Sequence, residues 1–256
     1  SKGDIPPKIT DTYNGDFNEI KNNLNQCIDN LSGLIAEMNN MSRQHDLGDI
    51  DVVIPAARFE GAYQTMAQGV NDMVGGHIAV KKKAMACVAE FGRGNFEAAL
   101  EKFPGKKAFI NDTIEQVRVN LKALIADADA LVKAAVEGKL ATRADAAKHQ
   151  GDFRKIVQGV NDTLDAVIGP LNVAAEYVDR ISKGDIPPKI TDTYNGDFNE
   201  IKNNLNVLIE AMNEITGVAE QIAGGNLMVT VRERSGEDKL MQALSVMLSK
   251  LRDVMA

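Results

Sequence analysis

Residues 182–206 read SKGDIPPKITDTYNGDFNEIKNNLN, and residues 1–25 read the same, letter for letter, 181 positions earlier. A shorter echo joins Gln68-Gly69-Val70-Asn71-Asp72 to Gln158-Gly159-Val160-Asn161-Asp162, 90 positions apart. Both offsets are multiples of about 45, which makes the chain a repeat of units of that length. A glycine followed two residues later by an apolar side chain marks each unit: Gly3/Ile5, Gly48/Ile50, Gly94/Phe96, Gly138/Leu140, Gly184/Ile186 and Gly225/Leu227. Successive glycines stand 45, 46, 44, 46 and 41 residues apart. The chain thus holds five units, complete or nearly so, after the second half of another.

Between the glycines the apolar spacing is helical. Phe17, Ile20, Leu24, Cys27, Leu31, Leu34, Met38 and Met41 alternate steps of three and four, and so do Phe198, Ile201, Leu205, Leu208, Met212, Ile215, Ala219 and Ile222. Ile114 to Ala135 follows the same rhythm. This is a narrow coiled-coil seam, not the wider stripe of a helix lying on a sheet. Helices are predicted near 16–45, 58–92, 107–137, 151–183 and 197–224, with a last one from about 237, joined by connectors of roughly a dozen residues. Acidic residues at or near the starts (Asp16, Asp152, Asp197, Glu237) and glycines after the ends suit the helix dipole and helix termination.

The fourth helix departs from the rhythm. Phe153, Ile156, Val160, Leu164, Val167 and Leu171 include two consecutive steps of four, a stutter that locally unwinds a supercoil. Gly169-Pro170 lies within it, and Pro170 lacks a backbone donor, so a kink or break is expected there. Val160, Leu164, Gly169 and Pro170 form the candidate mechanical joint.

Composition excludes several classes. The 256 residues carry a formal net charge of −7, no tryptophan and only 5% aromatics. With no basic block longer than Lys81-Lys82-Lys83, nucleic acid is not an expected partner. No apolar run approaches a membrane span, and no secretory leader opens the sequence. The start at Ser1, inside a turn-like segment, fits a piece of a longer protein. Cys27 and Cys87 form no CxxC, so a reducing, cytoplasmic setting is expected.

The connectors carry spaced apolar residues: Ile5 and Ile9, Ile50 and Val53, Ile186 and Ile190, Leu227 and Val229. A connector lying against the helices would return the chain so that both run parallel. An extended stretch of 12 residues at roughly 3.3 Å each spans a helix of about 15 residues.

Helix, Gly-Asp-apolar turn, connector, acidic residue and second helix resemble the HAMP domain of bacterial chemoreceptors (methyl-accepting chemotaxis proteins) and sensor histidine kinases. The clearest copy runs from Pro170 to Met212. Pro170 and Leu171 open the first helix, Gly184-Asp185-Ile186 matches the turn, and Ile186 and Ile190 match the two residues that plug the bundle. Asp197 takes the acidic position, and Phe198, Ile201, Leu205, Asn206 and Leu208 follow the second helix's pattern. The resemblance implies an all-α fold of tandem, or poly-, HAMP units: parallel four-helix coiled-coil bundles formed by a homodimer and stacked along one axis. The units are expected at 1–30 (second half only), 31–75, 76–121, 122–168, 169–212 and 213–256, with 31–75 and 76–121 divergent. Gly105, Lys106 and Lys107 fit the pattern poorly, as does Gly236 where an acid is expected.

Catalytic chemistry finds no support. His45 and His149 fall at a helix end and in a connector, with no expected ligand or base role. His77 lies on a seam, where it is either a titrating buried group or a partly solvated one. Gly92-Arg93-Gly94 and Pro104-Gly105-Lys106-Lys107 follow no strand and lack the Ser or Thr of a Walker loop. The asparagines at 40, 111 and 161 match a glycosylation sequon but sit in predicted helices. Met38, Met41, Met66, Met73 and Met212 read as adaptable seam packing, and Cys27 and Cys87 as buried apolar residues. There is no nucleophile–base pair, no catalytic carboxylate pair and no metal cluster in the pattern, so the protein is read as a non-enzyme with no cofactor, no metal and no small-molecule substrate.

The resulting expectation is a signal relay passing a conformational state between sensor and output domains of the same longer chain. A passive dimeric spacer, and a ligand-sensing helical domain in 31–121, are the competing readings.

Overall fold

The computed structural model describes residues 3–255; Ser1, Lys2 and Ala256, at the ends of the first and last expected units, lie outside the described residues. The chain is all-α, with no strand among the described residues. Its α-helices are α1 (Asp16–Asp46), α2 (Gly61–Gly92), α3 (Phe109–Val136), α4 (Gly151–Ser182), α5 (Asp197–Ala223) and α6 (Lys239–Met255). Short 3-10 turns stand at Ala56–Arg58, Gly105–Ala108 and Ala146–Lys148. No described helix is long and apolar enough to cross a membrane. The chain divides into two compact units, one up to Ile125 and one from Ala126.

Predicted and observed helices agree to within about three residues. The largest shift is at α2, expected from 58 but beginning at Gly61. Ala56–Arg58 instead forms its own turn, Phe59 and Glu60 are extended, and Gly61 has a positive φ. The expected break at Gly169-Pro170 does not occur, because α4 is helical from Gly151 to Ser182 with Pro170 inside it. Proline deprives the carbonyl four residues back, that of Ala166, of its donor. Ala166 is exposed, so water can take that carbonyl and the helix survives.

In the first compact unit, one core gathers Leu34, Met41, Ile54, Phe59 and Ala67, and another Ala84, Cys87, Phe91 and Ile114. In the second, Val218, Val229, Met241 and Leu248 form a cluster of their own. Each joins a helix, the connector after it and the next helix, as the returning connector requires.

The heptad seam and the buried row are not always the same. In α4 the buried residues Val157, Asn161 and Ile168 each follow a seam residue by one position, while Ile156, Val160 and Val167 stay 51%, 43% and 42% exposed. In α5 Ile209 is 1% exposed beside Leu208 at 38%. One row packs within the chain, and the other is left open.

Candidate relay site

Each long helix ends on a glycine for a conformational reason. Gly184 has φ +82°, which L-residues with a side chain adopt only under strain. Its N–H donates to the Ile181 carbonyl and that of Asp185 to the Arg180 carbonyl, both at 3.0 Å, a Schellman closure. The same pair of bonds closes α1, α2, α3 and α5 at Gly48, Gly94, Gly138 and Gly225.

A second series of glycines opens the second helix of every unit but the last. Gly15, Gly61, Gly105, Gly151 and Gly196 all have φ between 52° and 58°. At Gly196 the ψ of −135° completes a conformation reserved almost entirely for glycine. Gly105, expected to be misplaced, therefore belongs to a regular series, although Gly236 does not.

Between the two glycines an asparagine latches the connector. The Ile190 N–H donates to Asn206 Oδ1 at 2.7 Å, and Asn206 Nδ2 donates to the Ile190 carbonyl at 3.0 Å. Asn25 holds Ile9, Asn71 holds Ile54 and Asn161 holds Ala144 in the same two-bond fashion, between 2.8 and 3.0 Å. Each asparagine lies 22 or 23 residues after the exit glycine, a legible signal whose role only the geometry reveals. The latch satisfies a connector residue's donor and acceptor together, replacing the partners a strand would have supplied.

The plug lies above the latch. Pro170, Val173 and Ala174 of α4 face Ile190 and Tyr194 of the connector and Phe198, Ile201 and Leu205 of α5, around a residual cavity of about 10 Å³. That leaves room for a single water at most. Five of the expected site residues (Pro170, Ile190, Phe198, Ile201 and Leu205) thus meet in one closely packed cleft. Gly184 ends α4, and Ile186 is half-buried in the connector. Asp197 is exposed in the first turn of α5 and makes no capping bond. Leu208 lies on the open row. At the expected joint, Val160 and Gly169 are exposed and Leu164 and Pro170 half-buried, all within one continuous helix.

Arginine takes over as the main latch in two connectors. Arg118 donates from both guanidinium nitrogens to the carbonyls of Phe96 and Ala98, two and four residues after Gly94, and lies 4.8 Å over the Phe91 ring. Arg252 reaches the carbonyls of Leu227 and Val229, the same two steps after Gly225, at 2.6 and 3.2 Å. Forked, charge-assisted bonds of this kind are stronger than those of a neutral amide. Asn111 adds bonds to the Phe103 N–H and the Glu101 carbonyl. Asp238 caps α6 through the Met241 N–H at 3.2 Å, and Arg234 beside it holds its carboxyl well below the usual carboxylate range.

Of the histidines and cysteines, Cys27 departs from expectation. His149, expected in a connector with no ligand or base role, is 6% exposed, with Nε2 2.5 Å from Asp127 Oδ2 on α3. It occupies, two residues before Gly151, the slot that Tyr13, Phe59, Phe103 and Tyr194 fill before the other opening glycines. His45 Nε2 is 2.8 Å from the Val52 carbonyl. His77 is exposed, in line with the partly solvated reading. Cys87 is buried as expected, whereas Cys27 is exposed, its Sγ 3.5 Å from the Tyr63 hydroxyl, because it belongs to the open row.

This architecture agrees with the comparisons. A profile of the HAMP domain matches residues 1–33 and 148–214, one of the HAMP N-terminal domain 3 matches 80–122, and one of the second HAMP domain of methyl-accepting chemotaxis protein McpB matches 29–76. The chain is a tandem array of HAMP domains. Methyl-accepting chemotaxis protein McpB of Pseudomonas aeruginosa is 46% identical over 97 residues, which are 38% of this chain and 14% of that protein. The HAMP array thus spans a small part of the curated relative it matches. As a HAMP array of chemoreceptor type, it is a signal-relay module.

Proposed function

We propose that the array relays a conformational state as a homodimer, two copies pairing along the open heptad row so that each unit becomes a parallel four-helix bundle stacked on its neighbours. The proposed units are 1–30, 31–75, 76–121, 122–168, 169–212 and 213–256, lying on the cytoplasmic side between sensor and output domains of a longer receptor. Supporting this reading, α4 leaves Ile156, Val160, Val167, Leu171 and Val178 between 42% and 53% exposed along one row. Burying an aliphatic side chain contributes roughly 1.5–3 kcal/mol, so such rows on successive helices together outweigh an association cost on the order of 4–15 kcal/mol.

Within each unit the connector is the coupling element. Gly184 turns it back, Ile186 and Ile190 plug the space between the helices, and Asn206 fixes the plug to α5. Asp197, Phe198, Ile201, Leu205 and Leu208 supply the surface it meets. Moving one helix then displaces the plug and with it the other helix. The stutter at Val160 and Leu164, beside Gly169 and Pro170, lets neighbouring bundles favour different packings, because it rotates one seam against the next.

Mild oxidation of a Cys87→Ala chain tests the pairing. The exposed Cys27 should give a covalent dimer, and light scattering should show twice the chain mass. A monomer that does not crosslink would remove the proposal. In a receptor carrying the array, Gly169→Ala with Pro170→Ala and one residue deleted between Val160 and Leu164 should lock output in one state. Unchanged stimulus dependence would leave a passive dimeric spacer as the better account.

A further inference from the structure

Residues 76–121 carry a charge of the opposite sign to the rest of the chain. They hold eight basic and five acidic residues, within a protein of net charge −7. Lys82, Lys83, Arg93 and Arg118 pair with Asp51, Glu101, Glu90 and Glu115. Lys102, Lys106 and Lys107 have no ion-pair partner among the described residues. They lie on the turn that opens α3, whereas Asp16, Asp152 and Asp197 follow three of the other opening glycines. Cations at the positive end of a helix oppose its dipole, so the folding of α3 does not account for them. Phe109, 66% exposed, stands beside them, two residues before Asn111. The residues two before Asn25, Asn71, Asn161 and Asn206 are Asn23, Gly69, Gly159 and Asn204, all exposed. At this one place of the five, an aromatic ring replaces a small or polar surface residue.

The turn that presents these groups is pinned. Phe103 beneath it is 5% exposed, and Asn111 holds the Phe103 N–H and the Glu101 carbonyl. We infer that Lys102, Lys106, Lys107 and Phe109 form a contact site for an anionic lipid surface. The ring enters the headgroup layer, and the ammonium groups meet the lipid phosphates and carboxylates. Residue type favours lipid over protein. Lysine is a hydrated point charge without arginine's bidentate fork, and it is depleted at protein–protein interfaces. A diffuse layer of anionic headgroups requires neither a fork nor a fixed register. A protruding ring needs a ready pocket on a protein partner, whereas a fluid interface closes around it. Three lysines and one ring make a reversible contact, not an anchor. The inference rests on the cytoplasmic placement proposed above, the side on which anionic lipids concentrate. It does not depend on pairing, because Phe109 lies beside, not on, the seam through Ile110, Ile114 and Val117.

The chain has no tryptophan, so Phe109→Trp places a single fluorescent reporter in the full chain. Vesicles of phosphatidylcholine with about one-third phosphatidylserine should shift its emission to the blue. Phosphatidylcholine alone should need roughly tenfold more lipid for the same shift, and about 0.5 M salt should reverse it. Lys102→Gln, Lys106→Gln and Lys107→Gln together should remove the shift while circular dichroism shows the helices intact. Phe17→Trp, at a ring 71% exposed on α1, should not respond to the same vesicles. An equal response there would mean unspecific adsorption and overturn the inference. So would no shift of Phe109→Trp with anionic vesicles. A shift with polyglutamate or an oligonucleotide but not with vesicles would assign the patch to an acidic protein or a nucleic acid instead. Blue emission without lipid that grows with protein concentration would assign it to a second copy. Vesicle binding is read on the chain by itself, so its failure leaves the relay and dimer proposals standing.

Discussion

The neighbouring connectors 138–150 and 184–196 share a backbone and differ in nearly everything attached to it. Each runs between two positive-φ glycines, and each is held at its sixth residue after the exit glycine by an asparagine, Asn161 or Asn206. Yet Ile190 and the fully buried Pro187 in one are replaced by Ala144 and Ala141 in the other. Beside 184–196 the packing leaves about 10 Å³, while an open groove of about 980 Å³ runs along Leu140, Thr142 and Arg143. The small side chains are accompanied by polar contacts: Arg143 on Asp165 at 2.6 Å and His149 on Asp127 at 2.5 Å. The latch and the plug are therefore separable. Backbone hydrogen bonding places a connector, and side-chain volume sets how tightly it grips the two helices.

Truncating the plug should show the difference most strongly. Ile190→Ala should cost about 3 kcal/mol by urea denaturation, the usual loss for a buried aliphatic side chain, whereas Leu140→Ala, 41% exposed, should cost under about 1 kcal/mol. Equal losses would mean that the two connectors grip alike. Next come the latches. Asn161→Ala and Asn206→Ala should each cost about 2 kcal/mol, because each leaves a connector N–H and carbonyl without partners. If only Asn206→Ala were destabilising, the shared latch would not be a common device.

Ala144→Ile sharpens the contrast from the other side. Adding an apolar side chain beside an open groove should stabilise by about 1 kcal/mol and slow exchange of the Ala144 amide. The smallest effect concerns charge. Arg234 depresses the Asp238 carboxyl, so its contribution is present above the ordinary carboxylate value and fades as pH falls through the folded one. Corrected for intrinsic exchange, the Met241 amide should lose protection below about pH 4 while the Ile190 amide, on a neutral asparagine, does not. Asp238→Asn should abolish that step.

Much of the fold was legible because helices and their ends are written locally. The three-and-four rhythm, broken once by the stutter in α4, placed the first five helices, and the exit glycines stood where a left-handed residue was required. The opening glycines are equally regular in sequence, but an acid follows only Gly15, Gly151 and Gly196, so the acidic position does not by itself mark the series. Arg118 and Arg252 left no readable signal. Nothing in a charged residue on a helix tells that it will turn inward onto carbonyls two and four residues past a glycine.

From the sequence alone follow the repeat, the all-helical class, the connector lengths and the identity of residues 1–25 with 182–206, because each depends on periodicity or on one residue's conformational freedom. Tertiary structure decided which apolar row this chain buries and which it leaves open, that α4 runs unbroken through Pro170, and that His149 pairs with Asp127. It also decided that two identical segments differ in cover. Those outcomes depend on which helix lies above a surface, and a segment's own residues do not specify its neighbour.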